Sequence, residues 1–506
     1  MCRRSWSLWI VLSAGLVNVM VLLYLTSRSC DVSAVCNDFK TRYRDSADVH
    51  ARVVNKSITF ILREFEDFEN DVSDTALSLS KTSANSVIIV IADDLPYPPL
   101  ELPQLENVHL VSLRGLVEKP MSSSRPDTYI RSEYVAIIPD GVRVAGRSSL
   151  KRALDLLESQ TMANPLVTMA AFPLNNSTAD CIQLDIDTKR WTANFDVVHN
   201  GDVCDAVGGQ PTVLLLKTNT YLDLSYPYLR PFQPAIFIQN SLRGHKVTVN
   251  RQKALFYQSV ELFKNDMHKK WKHEQKERKR MHEAFSIMGI KLVHYATGQD
   301  DWYGCGKETP RCFGTVVNDM PEFIYQNRWT PPCCLQALRI TVHHVFKILK
   351  EQDVRFWLEG GSLLGAARNG DIIPWDYDVD IGIYSDDIVK STQLVSCQSE
   401  AHEDDEGFVW ERASEGEFFR VQYSQSNHLH VDIFPFRSVN GTMTKNTWFK
   451  THRQDREFPE AFLKPFGSIH FVGIEAPVPN NVRKFLEFKF GEGVIDNPKY
   501  PNAQSV

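Results

Sequence analysis

The segment Trp357–Ile383, WLEGGSLLGAARNGDIIPWDYDVDIGI, decides how the second half of this chain is read. An apolar strand-like run ends at Leu358 and meets Gly360–Gly361, a pair that permits a tight turn and close backbone approach. Ser362 is expected to cap the helix that follows, whose free N–H groups suit phosphate oxygens. Asp376, Asp378 and Asp380 then alternate with Tyr377, Val379 and Ile381. On one strand, period 2 would put all three carboxylates on a single face. Such like charges repel unless a cation sits among them. A hard dication such as Mg²⁺, which prefers oxygen ligands and keeps positions open for phosphates, resolves the repulsion. The bland alternative is a solvent-facing acidic edge strand.

Working outward, Leu429–Phe434 (LHVDIF) alternates again, with Asp432 opposite in face to Leu429, Val431 and Ile433. If it pairs beside the first strand, Asp432 joins the carboxylates as a ligand or proton acceptor. Upstream, Leu335, Leu338, Val342, Val345 and Leu349 form one apolar helical stripe, with His343 and His344 read as packing or surface residues. Cys305, Cys312, Cys333 and Cys334 follow the spacing C-x₆-C-x₂₀-C-C. From the residues alone, two disulfides are preferred over a tetrahedral zinc site.

Before residue 290 the strand-like runs Val87–Ala92, Val108–Leu113, Tyr134–Ile138, Leu166–Ala171 and Thr212–Leu216 alternate with helical stretches such as Leu150–Glu158, which predicts an α/β domain. The stretch Ser132–Val144, SEYVAIIPDGVRV, resembles a type-A glycosyltransferase strand that should deliver an Asp-x-Asp pair. Only Asp140 is present, so no catalysis is assigned to this domain. Cys181 and Cys204 are a plausible disulfide, and Phe263–Phe285 reads as a solvated linking helix. Asp38–Asn70 reads as a helical stem.

Trp6–Thr26 is an almost unbroken apolar run preceded by Arg3 and Arg4. It is long enough to span a bilayer as a signal anchor with the bulk of the chain in a lumen. Sequons at Asn55, Asn175, Asn176 and Asn440 fit that side, with Asn175 and Asn176 the favoured glycosylation sites. Cys2, Cys30 and Cys36 flank the anchor and could link two chains into a homo-oligomer. The net charge of −6 gives no reason to expect a nucleic-acid partner. The expected organisation is therefore a tail (1–5), an anchor (6–26), a stem (27–83), a non-catalytic glycosyltransferase-like domain with linking helix (84–289) and a catalytic domain (290–506).

The glycine turn, spacer and aspartates resemble the nucleotidyltransferase fold. More narrowly, EGGSLLGAARNGDIIPWDYDVDIGI with HVDIFPF is similar to the LicD family, whose members transfer phosphocholine or phospho-alditol groups from CDP-activated donors. With WYGCGKETPRCFG, RWTPPCC and the N-terminal layout, the resemblance narrows to the fukutin-related branch. It implies a Golgi-membrane ribitol 5-phosphate transferase that uses CDP-ribitol and Mg²⁺, releases CMP and extends the phosphorylated O-mannosyl glycan of α-dystroglycan. The implied catalytic and Mg²⁺-binding residues are Asp376, Asp378 and Asp380, with Asp432 alongside. Substrate contacts are expected from Gly361, Ser362, Arg368, Trp375, Tyr377, Arg453, Gln454, Asp496, Asn497 and Pro498. The same resemblance implies a structural Zn²⁺ on Cys305, Cys312, Cys333 and Cys334, in a loop (305–334) that could order Arg311 near the site. The rival readings are transfer of another CDP-linked group and a non-catalytic glycan-binding scaffold.

Overall fold

The computed structural model describes residues 57–500 apart from 176–178, 199–200, 210, 253, 318–319 and 450–451. The expected anchor, most of the stem and the sequons at Asn55 and Asn176 lie outside the described residues. Among those described, no helix is long and apolar enough to cross a membrane.

The first domain is a mixed eight-stranded sheet. Its described part opens with β1 (Ile58–Leu62), followed by α1 (Val72–Thr82), β2 (Ile88–Ala92), β3 (Val108–Ser112), β4 (Tyr134–Ile137), α2 (Arg147–Ala163) and β5 (Val167–Pro173). Then come the hairpin β6 (Asp180–Asp187) and β7 (Thr192–Val198), β8 (Thr212–Lys217), α3 (Phe232–Ser241) and β9 (Lys246–Val249). In space the sheet runs β3-β2-β1-β4-β8-β5-β9 and ends on the short strand Val203–Cys204. Strands β1 to β4 are mutually parallel, while β8 is antiparallel to β4.

One correction concerns the stem. Residues 58–62 (ITFIL) are not helical but a wholly buried strand inside the sheet. Their β-branched and aromatic side chains suit a strand covered on both faces. The Cys181–Cys204 disulfide forms as expected and ties β6 to the sheet's far edge.

The linking helix, α4 (Met267–Met288), begins at Asp266, whose side chain accepts from the N–H groups of His268 and Lys269, and ends at Gly289 with φ 69°. It is not merely solvated: Lys276 and Arg280 reach the buried carboxylate of Glu66. Strand β10 (Leu292–Tyr295) then pairs in parallel with β7 of the first domain, and β11 (Asp300–Trp302) pairs antiparallel with β10. The chain around residue 290 is thus shared between the two domains.

The second domain carries the long helix α5 (Pro332–Glu351), begun by Pro332 at its first position. Its stripe is buried as expected, with Leu335 only partly so. Next come β12 (Phe356–Leu358), α6 (Gly360–Asn369) and β13 (Val379–Tyr384). They are followed by β14 (Val409–Arg412), β15 (Phe419–Gln422), β16 (His430–Val439), β17 (Thr442–Thr444) and α7 (Val482–Phe490). The sheet order is β12-β13-β16-β15-β14 and then His402–Glu403. A tight Asn440–Gly441 turn, with φ 49° and 75°, joins β16 to β17.

Candidate active site

Strand β12 ends at Leu358 and α6 begins two residues later. Gly360, at φ 53°, takes a left-handed conformation that suits glycine. A Cβ on Gly361 would lie 2.9 Å from Asp376 Oδ2, and one on Gly360 would lie 3.2 Å from Asp380 Oδ2. The two glycines therefore make room for carboxylates at the helix start. Ser362 does not cap the helix. It lies in the first turn, and its Oγ accepts the Asp380 N–H at 2.8 Å. Glu359 is the residue at the cap position, and its carboxylate is spent elsewhere, on Trp357 Nε1 at 2.8 Å and Lys489 Nζ at 2.9 Å.

The expectation of three aspartates on one strand is corrected. Only Asp380 belongs to β13; Asp376 and Asp378 lie in the irregular run before it. The backbone explains this. The Asp376 N–H closes a turn onto Ile373 O at 2.8 Å, and Asp376 O accepts from Thr330 Oγ1 at 2.6 Å, so no neighbouring strand engages them. The side chains nevertheless converge, half-buried around the glycine turn. Burial raises the Asp376 and Asp380 carboxyls well above the ordinary carboxylate range, and the charge of Asp378 adds to both shifts. Burial also raises Asp378, with Asp432 adding to it while His430 opposes.

Across the sheet, Asp380 on β13 stands in parallel register with Asp432 on β16, and Asp432 stands opposite Arg420 on β15. Arg420 donates Nε to Asp432 Oδ1 at 2.8 Å and Nη2 to Oδ2 at 3.0 Å, a two-pronged grip, while Nη1 reaches Glu415 at 2.9 Å. His430 Nε2 lies 3.9 Å from Asp432.

Sequence reading missed Arg420. It also missed Lys445, which is only 6% exposed. Lys445 lies over the rings of Phe434, Trp448 and Phe449, pairs with Asp455 at 2.8 Å, and lends positive potential to Asp380. A lysine after a hairpin reads as surface, so no local pattern marks it.

The other expected contacts divide. Arg368 turns away from the aspartates and donates to the carbonyls of Val494 and Ile495. It thereby holds the segment of Asp496, Asn497 and Pro498, all exposed, with Asp496 paired to Arg483 at 2.7 Å. Trp375 packs against Trp329 and Tyr500, and Tyr377 lies edge-on to Phe313. Arg453 is exposed and Gln454 half-buried on a turn after Lys445. Asn175 and Asn440 are both exposed, as glycosylation requires.

Cys305 comes together with Cys333, and Cys312 with Cys334, which joins the four as two disulfide pairs. The sulfurs of Cys305, Cys312 and Cys334 also lie within 4.8 Å of one another. One convergent sulfur group fits either two disulfides or a four-thiolate zinc. The loop brings Arg311 into the electrostatic neighbourhood of Tyr377 and Arg420.

The aspartates are spread more widely than those sulfurs. Among the described residues, the groups drawn within 4.8 Å are Cys305–Cys312–Cys334 and Glu66–His273–Glu277. The oxygen-only donors of Asp376, Asp378, Asp380 and Asp432, their mutual repulsion and the cradle cleared by Gly360 and Gly361 fit a hard dication such as Mg²⁺.

This site, a glycine turn at a helix start facing carboxylates on adjacent strands, has the make-up of a nucleotidyltransferase-type centre. Residues 353–481 match the family described as "LicD/FKTN/FKRP, nucleotidyltransferase domain", and residues 45–296 match "Fukutin-related protein stem domain". The chain is 45% identical over 452 residues to mouse "Ribitol 5-phosphate transferase FKRP", covering 89% of each. It is 45% identical over 455 residues to the human protein of that name, covering 89% of this chain and 90% of the relative. Among solved structures, a mannosyltransferase from Pyrobaculum calidifontis covers 49% of this chain and 70% of its own at 10% identity and a TM-score of 0.27, a weak likeness. The chain belongs to the fukutin-related protein family.

Proposed function

We propose that this chain moves ribitol 5-phosphate from CDP-ribitol to the phosphorylated O-mannosyl glycan of α-dystroglycan and releases CMP. It is a ribitol 5-phosphate transferase, the activity that names its mouse and human relatives. The donor and the acceptor follow the family, and the residue roles rest on one observation above all: Asp376 and Asp380 face the Gly360–Gly361 turn at the start of α6, with Asp432 in register beside Asp380.

Asp376, Asp378 and Asp380 would hold Mg²⁺, which when bound neutralises the donor diphosphate and the charge that builds on departing CMP. The N–H groups of the first turn of α6 offer further partners to phosphate oxygens. An acceptor hydroxyl attacks the phosphorus on the ribitol side. The new O–P bond forms as the bond to the bridging oxygen breaks, that oxygen leaves with CMP, and the hydroxyl proton passes to Asp432 or to solvent. Asp432 is held by Arg420 on both oxygens, and each oxygen keeps a second lone pair open to a metal ion or to that proton. Trp375 and Tyr377 supply ring surface beside the run of aspartates, and Arg368 orders Asp496–Pro498 at the rim.

In this reading Trp6–Thr26 anchors the protein in the Golgi membrane with both domains in the lumen, and chains associate as homo-oligomers. The sulfur group holds a structural Zn²⁺ without an open coordination position. The test is purified protein with CDP-ribitol, a phosphorylated O-mannosyl glycopeptide and Mg²⁺, read as CMP release and as the mass gained by the glycopeptide. A panel with CDP-choline tests the rival donor. Preference for CDP-choline, or transfer that survives chelation of Mg²⁺, would overturn the reading.

A further inference from the structure

The first domain sends one turn into the second. Strands β6 and β7 are joined through residues 188–191, and Trp191, at the end of that turn, packs against the core of the second domain. Its backbone sits at φ 62°, a left-handed conformation that a bulky residue keeps only where its surroundings hold it. Two hydrogen bonds fasten the turn to the segment before α5. The Trp329 N–H donates to Lys189 O at 3.0 Å, and Trp191 Nε1 donates to Trp329 O at 2.8 Å. A cation covers each indole: the Arg328 guanidinium lies 4.1 Å from the Trp191 ring, and that of Arg190 lies 4.7 Å from the Trp329 ring.

The next residue carries this grip to the aspartates. Thr330 is buried and bonds twice to the irregular run before β13. Its N–H donates to Pro374 O at 2.9 Å and its Oγ1 donates to Asp376 O at 2.6 Å. Asp376 and Asp378 lie outside the strand, so these bonds and the turn at Ile373 do for Asp376 what a sheet ladder does for Asp380. Position is thus handed along a short series, from Lys189 and Trp191 to Trp329, and from Thr330 to Asp376. Metal ligands and reacting groups tolerate little displacement, and an error near 1 Å is costly. We propose that Thr330 and Trp191 are positioning residues of the transfer reaction: the β6–β7 turn of the first domain, acting through Trp329 and Thr330, sets the place of Asp376 among the Mg²⁺-binding carboxylates. The inference rests on the reading of those aspartates as the Mg²⁺ site and involves neither the donor nor the acceptor.

The test is calorimetric titration of the full chain in detergent with Mg²⁺, beside CMP release from CDP-ribitol. Thr330→Val keeps the shape of the side chain and removes its donor. It should raise the Mg²⁺ dissociation constant by about fivefold or more and lower kcat by a similar factor. Thr330→Ser retains the hydroxyl and should stay within about twofold of wild type. Trp191→Phe keeps a ring beneath Arg328, loses the bond to Trp329 O, and should weaken Mg²⁺ binding by about twofold or more. Because both residues act through one segment, the double variant should lose less than the product of the two single losses. Unchanged Mg²⁺ binding in Thr330→Val, an equal loss in Thr330→Ser, or a fully multiplicative loss in the double variant would each overturn the proposal. If Thr330→Val fails to fold, Trp191→Phe decides, and an unchanged Mg²⁺ dissociation constant there refutes it. A wild-type chain that binds Mg²⁺ but releases no CMP from CDP-ribitol would sink the proposed function and leave the Mg²⁺ comparison readable; one that binds no Mg²⁺ would overturn the positioning role itself.

Discussion

Arg420 grips both carboxylate oxygens of Asp432 from the neighbouring strand, at 2.8 and 3.0 Å, and so fixes the orientation of a carboxylate that lies in register with Asp380. The arrangement needs a planar fork. Arg420→Lys keeps the charge but loses the second prong. It should lower transfer by roughly tenfold or more, with a stability loss of about 1–3 kcal/mol from the half-paired carboxylate. CMP release and urea unfolding measure the two effects, and wild-type turnover in Arg420→Lys would remove Arg420 from the machinery.

The crowded carboxyls make a prediction about metal. Mg²⁺ should raise the thermal midpoint of the wild-type protein, and chelation should reverse the rise. Asp378→Asn or Asp380→Asn relieves repulsion, so each variant should be at least as stable as wild type without Mg²⁺, gain little when it is added, and lack transfer. A full Mg²⁺ response in either variant would show that the ion binds elsewhere.

Gly361→Ala places a methyl 2.9 Å from Asp376 Oδ2. Secondary structure should survive, since alanine favours helices. Transfer should fall by about tenfold or more because the carboxylate must move. Kinetics alongside circular dichroism separate this outcome from simple unfolding.

Asp140 gives a pH dependence. Burial pushes its carboxyl up to about 7 in the folded chain, against an ordinary 3.8. The folded state thus holds the proton more tightly than the unfolded one. The resulting stability is fully present below about pH 4, declines as pH rises, and is lost once pH passes about 7. Asp140→Asn should flatten that decline, worth about 2–4 kcal/mol across the window. Urea midpoints between pH 4 and 8 test this, and parallel curves for variant and wild type would refute it.

Cys333→Ser breaks the sulfur group under either chemistry and should cost about 2–5 kcal/mol or prevent folding. Elemental analysis of the wild type should find one zinc per chain. Absence of zinc, with Cys305, Cys312, Cys333 and Cys334 protected from thiol reagents, would establish two disulfides.

By itself the sequence determined what local periodicity can carry. The alternation in 429–434, the stripe from Leu335 to Leu349 and the runs of the first sheet each repeat within a few residues, and each formed the element expected. The Gly-Gly turn and the grouped aspartates were legible because such chemistry leaves a dense, short pattern. Tertiary structure decided the rest, because it depends on partners far away in the chain. Thr330 and the turn at Ile373 draw Asp376 and Asp378 off the strand, and Ser362 serves the backbone of Asp380 rather than its own helix. Residues 58–62 became a buried strand only because β2 and β4 flank them, and Lys445 became a buried cation only because four aromatic rings from β16 and the following loop close over it. Pairing across strands is set by packing and register, and neither is written in any single window of residues.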